Sequence, residues 1–127
     1  MKAFPYERSE QPPAPYLDLN IRPCFQSVNS LAQHAKIDSG ASMTVISRAL
    51  VDQWQITPFS AVAMRGYDGQ VSTRPTYLVD LTIGKRQFSQ VEVTLSPRTN
   101  VLLRRDVLNQ LRVTLDGPQG VAEIHNV

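Results

Sequence analysis

The feature that most constrains this chain is a two-residue alternation of apolar and polar side chains along much of its length. Leu17, Leu19 and Ile21 alternate with Asp18 and Asn20. Tyr77, Val79, Leu81 and Ile83 alternate with Leu78, Asp80 and Thr82, and Val91, Val93 and Leu95 alternate with Glu92 and Thr94. Successive side chains on a strand point to opposite faces, so each segment reads as a half-buried strand. Gly84-Lys85-Arg86-Gln87 joins two of them as a hairpin. Phe59, Ala61 and Ala63 predict a further strand before Gly66. Val113 and Leu115, then Val121 and Glu123, flank Asp116-Gly117-Pro118-Gln119-Gly120, a turn by composition that closes a C-terminal hairpin. Helical signal is scarce. Ser47 is placed to cap a short helix running from Arg48 to Trp54, and Asp106 to cap a second with Val107, Leu108 and Leu111 on one face. Many short strands with two short helices predict an all-β, barrel-like domain.

A chain of 127 residues fits one such domain. Pro5, Pro12, Pro13 and Pro15 crowd the start. Proline lacks the N–H a sheet needs, so residues 1–14 read as a Pro-rich extended arm, with a disordered tail as the alternative. The domain is expected over residues 15–127. Thirteen Lys and Arg against eleven Asp and Glu leave a net charge of only +2. No basic stripe with interleaved aromatics is present, so a nucleic-acid partner is not expected. No apolar run reaches the roughly 18 residues of a membrane span, and the first residues lack the apolar stretch of a secretory signal. The lone Cys24 cannot form an intramolecular disulfide and suits a reducing compartment, so a cytoplasmic location is expected.

The chemistry concentrates at Ala35-Lys36-Ile37-Asp38-Ser39-Gly40-Ala41-Ser42. A carboxylate stands at the end of an apolar strand, followed by a hydroxyl residue, a glycine and an alanine. Glycine permits a tight turn and close approach of another chain. Taken alone, Asp-Ser-Gly reads most simply as a turn. One carboxylate is a poor catalyst of amide hydrolysis. Two that share a proton are a good one, because the ionised member takes a proton from water while the neutral member donates to the carbonyl oxygen.

Asp38-Ser39-Gly40-Ala41 resembles the Asp-Thr/Ser-Gly-Ala signature of aspartic proteases. Val101-Leu102-Leu103-Arg104-Arg105-Asp106-Val107-Leu108, about 65 residues on, resembles the second signature of the retroviral-type (retropepsin-like) branch, an apolar pair leading into Gly-Arg-Asp/Asn and a helix. Gly66-Tyr67-Asp68-Gly69 lies between them, where the family has its flap hairpin. The resemblance covers roughly residues 15–127. It implies a half barrel that works as a homodimer, Asp38 as catalytic residue, and Ser39, Gly40 and Ala41 supporting its loop. It further implies a flap at residues 64–72, an extended peptide or protein as substrate, and neither metal nor cofactor. The other Asp-Gly pairs, Asp68-Gly69 and Asp116-Gly117, lack the intervening hydroxyl, so the chain supplies one catalytic loop and a second must come from its mate. Lys36, Ser42, Val45 and Leu102 are expected at the substrate cleft.

Two positions depart from the family pattern. Arg104 replaces the glycine beneath the catalytic loop. A buried guanidinium needs water or a carboxylate, and Asp106, Asp52 and Glu123 are the expected partners. Lys36 stands where an apolar pocket residue is usual, and a cation there favours acidic or polar substrate side chains. Arg105 is expected in a structural ion pair and Trp54 as a core anchor. Cys24 with His34 as a nucleophile–base pair, or with His34 and His125 as metal ligands, lacks the accompanying groups and spacing. The competing reading is a catalytically weak domain of the same fold, used for dimerisation or peptide binding.

Overall fold

The computed structural model describes residues 1–66 and 68–127. Strands β1 (Lys2–Pro5), β2 (Tyr16–Pro23), β3 (Leu31–Ile37) and β4 (Val45–Ser47) precede helix α1 (Arg48–Trp54). Strands β5 (Ser60–Arg65), β6 (Val71–Ile83), β7 (Arg86–Ser96) and β8 (Val101–Leu103) lead into α2 (Arg105–Leu108), followed by β9 (Arg112–Asp116) and β10 (Val121–His125). No helix among the described residues is long and apolar enough to cross a membrane.

The main sheet runs β2-β3-β8-β4-β7-β6-β5, and β2 also pairs with β6. That extra pairing, Ile21 opposite Leu81, closes β2, β3, β8, β4, β7 and β6 into a barrel. The alternation sets which face turns inward. Leu17, Leu19 and Ile21 of β2 and Val79, Leu81 and Ile83 of β6 are buried, while Asp18, Asn20 and Arg22 stay exposed. Helix α1 seals the barrel with Leu50 and Val51, and Trp54 packs against the same core. Ser47 occupies its N-cap position, but the hydroxyl makes no capping bond.

Two short strands build the centre. Strand β3 lies parallel to β8, with Ile37 opposite Leu103, and β4 lies parallel to β7 and meets β8 antiparallel at Val45 and Leu102. Parallel neighbours must be joined by long connections, which is why this pairing leaves no local trace in sequence. Strand β6 runs longer than its alternation indicated. Its first half, through Thr76, pairs with β5 as a hairpin reaching beyond the barrel.

The proline-rich arm is held in place. Strand β1 pairs with β10 (Lys2 opposite Ile124, Pro5 opposite Val121), β10 pairs with β9, and Glu7 bridges to Ala14. Extended backbone without regular alternation found a partner only because the C-terminal hairpin offers an edge.

Where β6 and β7 shift register, Asp80 fills the gap. Its carboxylate accepts from the Gln90 N–H at 3.0 Å and the Cys24 thiol at 3.2 Å, and pairs with Arg22 at 3.3 Å. Burial works to raise the Asp80 carboxyl, but these hydrogen bonds and the Arg22 charge outweigh it and hold it below the usual range. For the same reasons the Cys24 thiol is pushed up to about 11, burial first and the Asp80 carboxylate second. The thiolate is the reactive form, so a shift of two units from 9.0 lowers its fraction about a hundredfold near neutrality. Alkylation of Cys24 by iodoacetamide at pH 8 is expected to be at least about a hundredfold slower in the folded chain than in urea. Equal rates would show that Asp80 and burial do not hold the thiol protonated.

Candidate active site

The register that sets Ile37 opposite Leu103 carries residue 38 alongside residue 104. Asp38 extends the ladder one step further, its N–H donating to the Leu103 carbonyl at 2.9 Å. The Asp38 carboxylate is then held at both oxygens. Oδ1 accepts the Gly40 N–H at 3.0 Å, and Oδ2 accepts from Arg104 Nε at 3.2 Å. A Cβ at residue 40 would lie 3.2 Å from Asp38 Oδ1, so glycine here is a matter of space beside the carboxylate. The Asp38 side chain remains 32% exposed and that of Arg104 only 16%.

Arg104 therefore finds a carboxylate, but it is Asp38 rather than Asp106, Asp52 or Glu123. The strand register decides this, because β8 delivers Arg104 directly beneath the loop that Asp38 opens. A second guanidinium nitrogen, Nη1, donates to the Met43 carbonyl at 3.3 Å. Arg105 makes no ion pair among the described residues, and its Nη1 donates to the Ser39 carbonyl at 2.9 Å. The loop carbonyls of Ala41 and Ser42 accept from the N–H groups of Arg105 and Asp106, at 3.2 and 3.1 Å.

Thr44, which sequence reasoning missed, is the hub of the arrangement. It is fully buried. Its N–H donates to Asp106 Oδ2 at 3.0 Å and its hydroxyl donates to Asp106 Oδ1 at 2.7 Å, while the same hydroxyl accepts the Arg104 N–H at 3.0 Å. Asp106 is thus not the cap of α2. It is the second residue of that helix, Arg104 stands at the cap position, and the Asp106 carboxylate reaches across to Thr44. The available signal was a threonine leading an apolar strand, which by itself says nothing about a partner 62 residues away.

The remaining predicted residues separate. Ser39 supplies its carbonyl, and its hydroxyl makes no hydrogen bond among the described residues. Val45 and Leu102 are buried and face each other across β4 and β8. Lys36 is bonded at 2.6 Å to Glu10 of the arm. Gly66, Asp68 and Gly69 form the exposed tip of the β5–β6 hairpin, and Tyr67 lies outside the described residues. The tip is closed by bonds from Gly66 N–H to the Gln70 carbonyl and from Gly69 N–H to the Gly66 carbonyl, with Gly69 at φ +80° where glycine is favoured. Cys24 and His34 have separate partners, Asp80 for the thiol and Asp18 and Glu7 for the imidazole.

The arrangement supplies a partly exposed carboxylate, rigidly placed, with a cation against one oxygen. The family model described as "gag-polyprotein putative aspartyl protease" matches residues 26–110, which include both segments of this brace. A retropepsin-like aspartic protease from Rickettsia conorii is similar in fold, with a TM-score of 0.66 at 14% identity over 97% of this chain and 90% of that one. The simian foamy virus (mac) protease gives 0.55 at 21% identity over 70% and 86% of the two chains. An inhibitor complex of EIAV protease gives 0.57 at 17% identity over 76% and 86%. No curated protein matches the sequence significantly.

Thr44→Val keeps the shape of the side chain and removes the hydroxyl, leaving the Arg104 N–H and Asp106 Oδ1 without it. The expected loss of stability in urea denaturation is about 1–3 kcal/mol. Ser39→Ala, which breaks no bond seen in this chain, is expected to stay within about 0.5 kcal/mol of the unaltered protein. Equal losses would mean that Thr44 is not the brace.

Proposed function

We propose that this chain, which belongs to the gag-polyprotein aspartyl protease family, is an aspartic endopeptidase whose site is completed by a second copy of itself. The observation that carries this reading is the Asp38 carboxylate, left partly open to solvent at the start of a loop bonded to residues 103–106. A chain with one such loop has half of a two-carboxylate site. A two-fold axis beside Asp38 supplies the other half, and carboxylates that face each other at short range share one proton. The ionised member draws a proton from a water molecule as the water attacks the scissile carbonyl. The protonated member donates to the carbonyl oxygen, giving a tetrahedral diol that then collapses as the amine nitrogen takes a proton and leaves.

In this reading, Gly40 N–H and the loop brace fix the carboxylate plane. The β5–β6 hairpin acts as the flap, with Gly69 at its tip, and an extended peptide lies between hairpin and loop, bonded as an added strand. The free, buried Cys24 suits a reducing cytoplasm, where we place the enzyme.

A second reading is favoured by one contact. Arg104 Nε occupies Asp38 Oδ2, the kind of position a working pair leaves for water or for the opposing carboxylate. A domain kept in that state would bind peptides or dimerise without cutting. Arg104→Gly separates the two readings. It frees Oδ2, and small displacements in a catalytic pair change rates by about a hundredfold. Turnover per folded dimer on a peptide library is expected to rise, by up to about that factor, and to vanish again when Asp38→Asn is added. Absence of any Asp38-dependent cleavage, with or without Arg104, would support the binding module. Lower turnover in an intact Arg104→Gly dimer would make Arg104 part of the working site.

A further inference from the structure

The arm residue Glu10 is seated in a site built for a carboxylate. Its Oε1 accepts from Lys36 Nζ at 2.6 Å and its Oε2 from the Tyr16 hydroxyl at 2.6 Å, so each oxygen has its own donor. The Tyr16 hydroxyl in turn accepts from Asn100 Nδ2 at 2.7 Å, and the Tyr16 ring is stacked on His34 with centroids 4.4 Å apart. Tyr16 and Lys36 are register partners on β2 and β3, which fixes their spacing. These contacts, the Lys36 bond first, hold the Glu10 carboxyl below its usual range, with Arg98 adding positive potential.

The occupant comes from a surface loop, the site from two barrel strands. Glu7 and Ala14 bridge through their backbones, so residues 8–13 form a closed loop over the barrel. Arg8, Ser9, Gln11, Pro12 and Pro13 are exposed, and Glu10 alone among them is half-buried. Among the described residues, Glu10 is the one member of this loop whose side chain bonds to the barrel, and the β1–β10 pairs lie outside the loop. Partly exposed ion pairs contribute little, so exchange for another carboxylate is cheap. Lys36 lies on β3 two residues before Asp38, which follows the end of the strand and continues its ladder by one bond to Leu103, about 7 Å along the chain.

We propose that Lys36 and Tyr16 form a subsite beside Asp38 for an acidic side chain of the bound peptide, and that Glu10 fills this subsite until such a peptide displaces it. The proposal rests on the peptidase reading for the position of the peptide, but its test does not depend on cleavage. The full chain carrying Asp38→Asn is titrated into fluorescent peptides that differ only by Glu or Gln at one scanned position, with anisotropy as readout. Glu at one position is expected to bind about fivefold more tightly than Gln. Adding Glu10→Gln should tighten the Glu peptides more than the Gln peptides. Adding Lys36→Met, which keeps the aliphatic stem, should make the two equal. If Lys36→Met does not fold, Tyr16→Phe must lower the preference instead. No binding, no preference for Glu at any position, or a preference that survives loss of the Lys36 and Tyr16 donors overturns the subsite. Cleavage by the unaltered chain without a Glu preference overturns the subsite and leaves the peptidase reading standing. A Lys36-dependent preference in a chain that cleaves nothing supports the subsite and overturns the peptidase reading.

Discussion

The hydroxyl of Thr44 donates to Asp106 and accepts from the Arg104 N–H, so one buried group uses both of its hydrogen-bonding roles to join the two segments of the site. A carboxylate tucked against a barrel is tolerable only when its oxygens are met. Asp106 is met by the Thr44 hydroxyl, the Thr44 N–H and the N–H of Val107. Hydrogen bonds to an ionised acceptor are among the stronger ones, and each polarises the next. The loop between Asp38 and Thr44 is thereby fixed at its far end, while the β3–β8 register fixes its near end. The direction of the Asp38 carboxylate follows from those two attachments.

Much of this architecture was legible in the alternation of side chains. The strands at Leu17–Ile21, Tyr77–Ile83 and Val91–Leu95, the C-terminal hairpin and helix α1 all emerged near their predicted places. What the pattern lacked was long-range pairing. Strand β8 is three residues long and wholly buried, so it shows no alternation. The Thr44–Asp106 and Arg104–Asp38 contacts span 62 and 66 residues, and nothing local to either residue announces them. Aspartate at a helix start usually caps it, whereas here the Asp106 carboxylate is drawn to a buried hydroxyl. Strand β1 shows no local sign in sequence, because its partner β10 lies at the opposite end of the chain.

The site also carries an unusual balance of charge. Asp38 faces Arg104 from within its own chain, and Lys36, on β3, faces Glu10 from the arm. Both cations are neutralised within the chain. Within the proposed function, the Asp38 carboxylate and the Lys36 ammonium are each paired with a group of the same chain in the structure, Arg104 and Glu10. Among the described residues, no buried side-chain nitrogen or oxygen lacks a hydrogen-bond partner.

A site that needs an Asp38 from each of two chains responds to mixing with inactive chains. Wild-type chains at fixed concentration are combined with increasing Asp38→Asn chains, allowed to exchange, and assayed on one cleavable peptide. If the site spans two chains, mixed dimers are dead and activity falls toward zero as the altered chain comes into excess. Activity per wild-type chain that stays constant throughout, with exchange verified by sedimentation of differently labelled chains, would contradict the account.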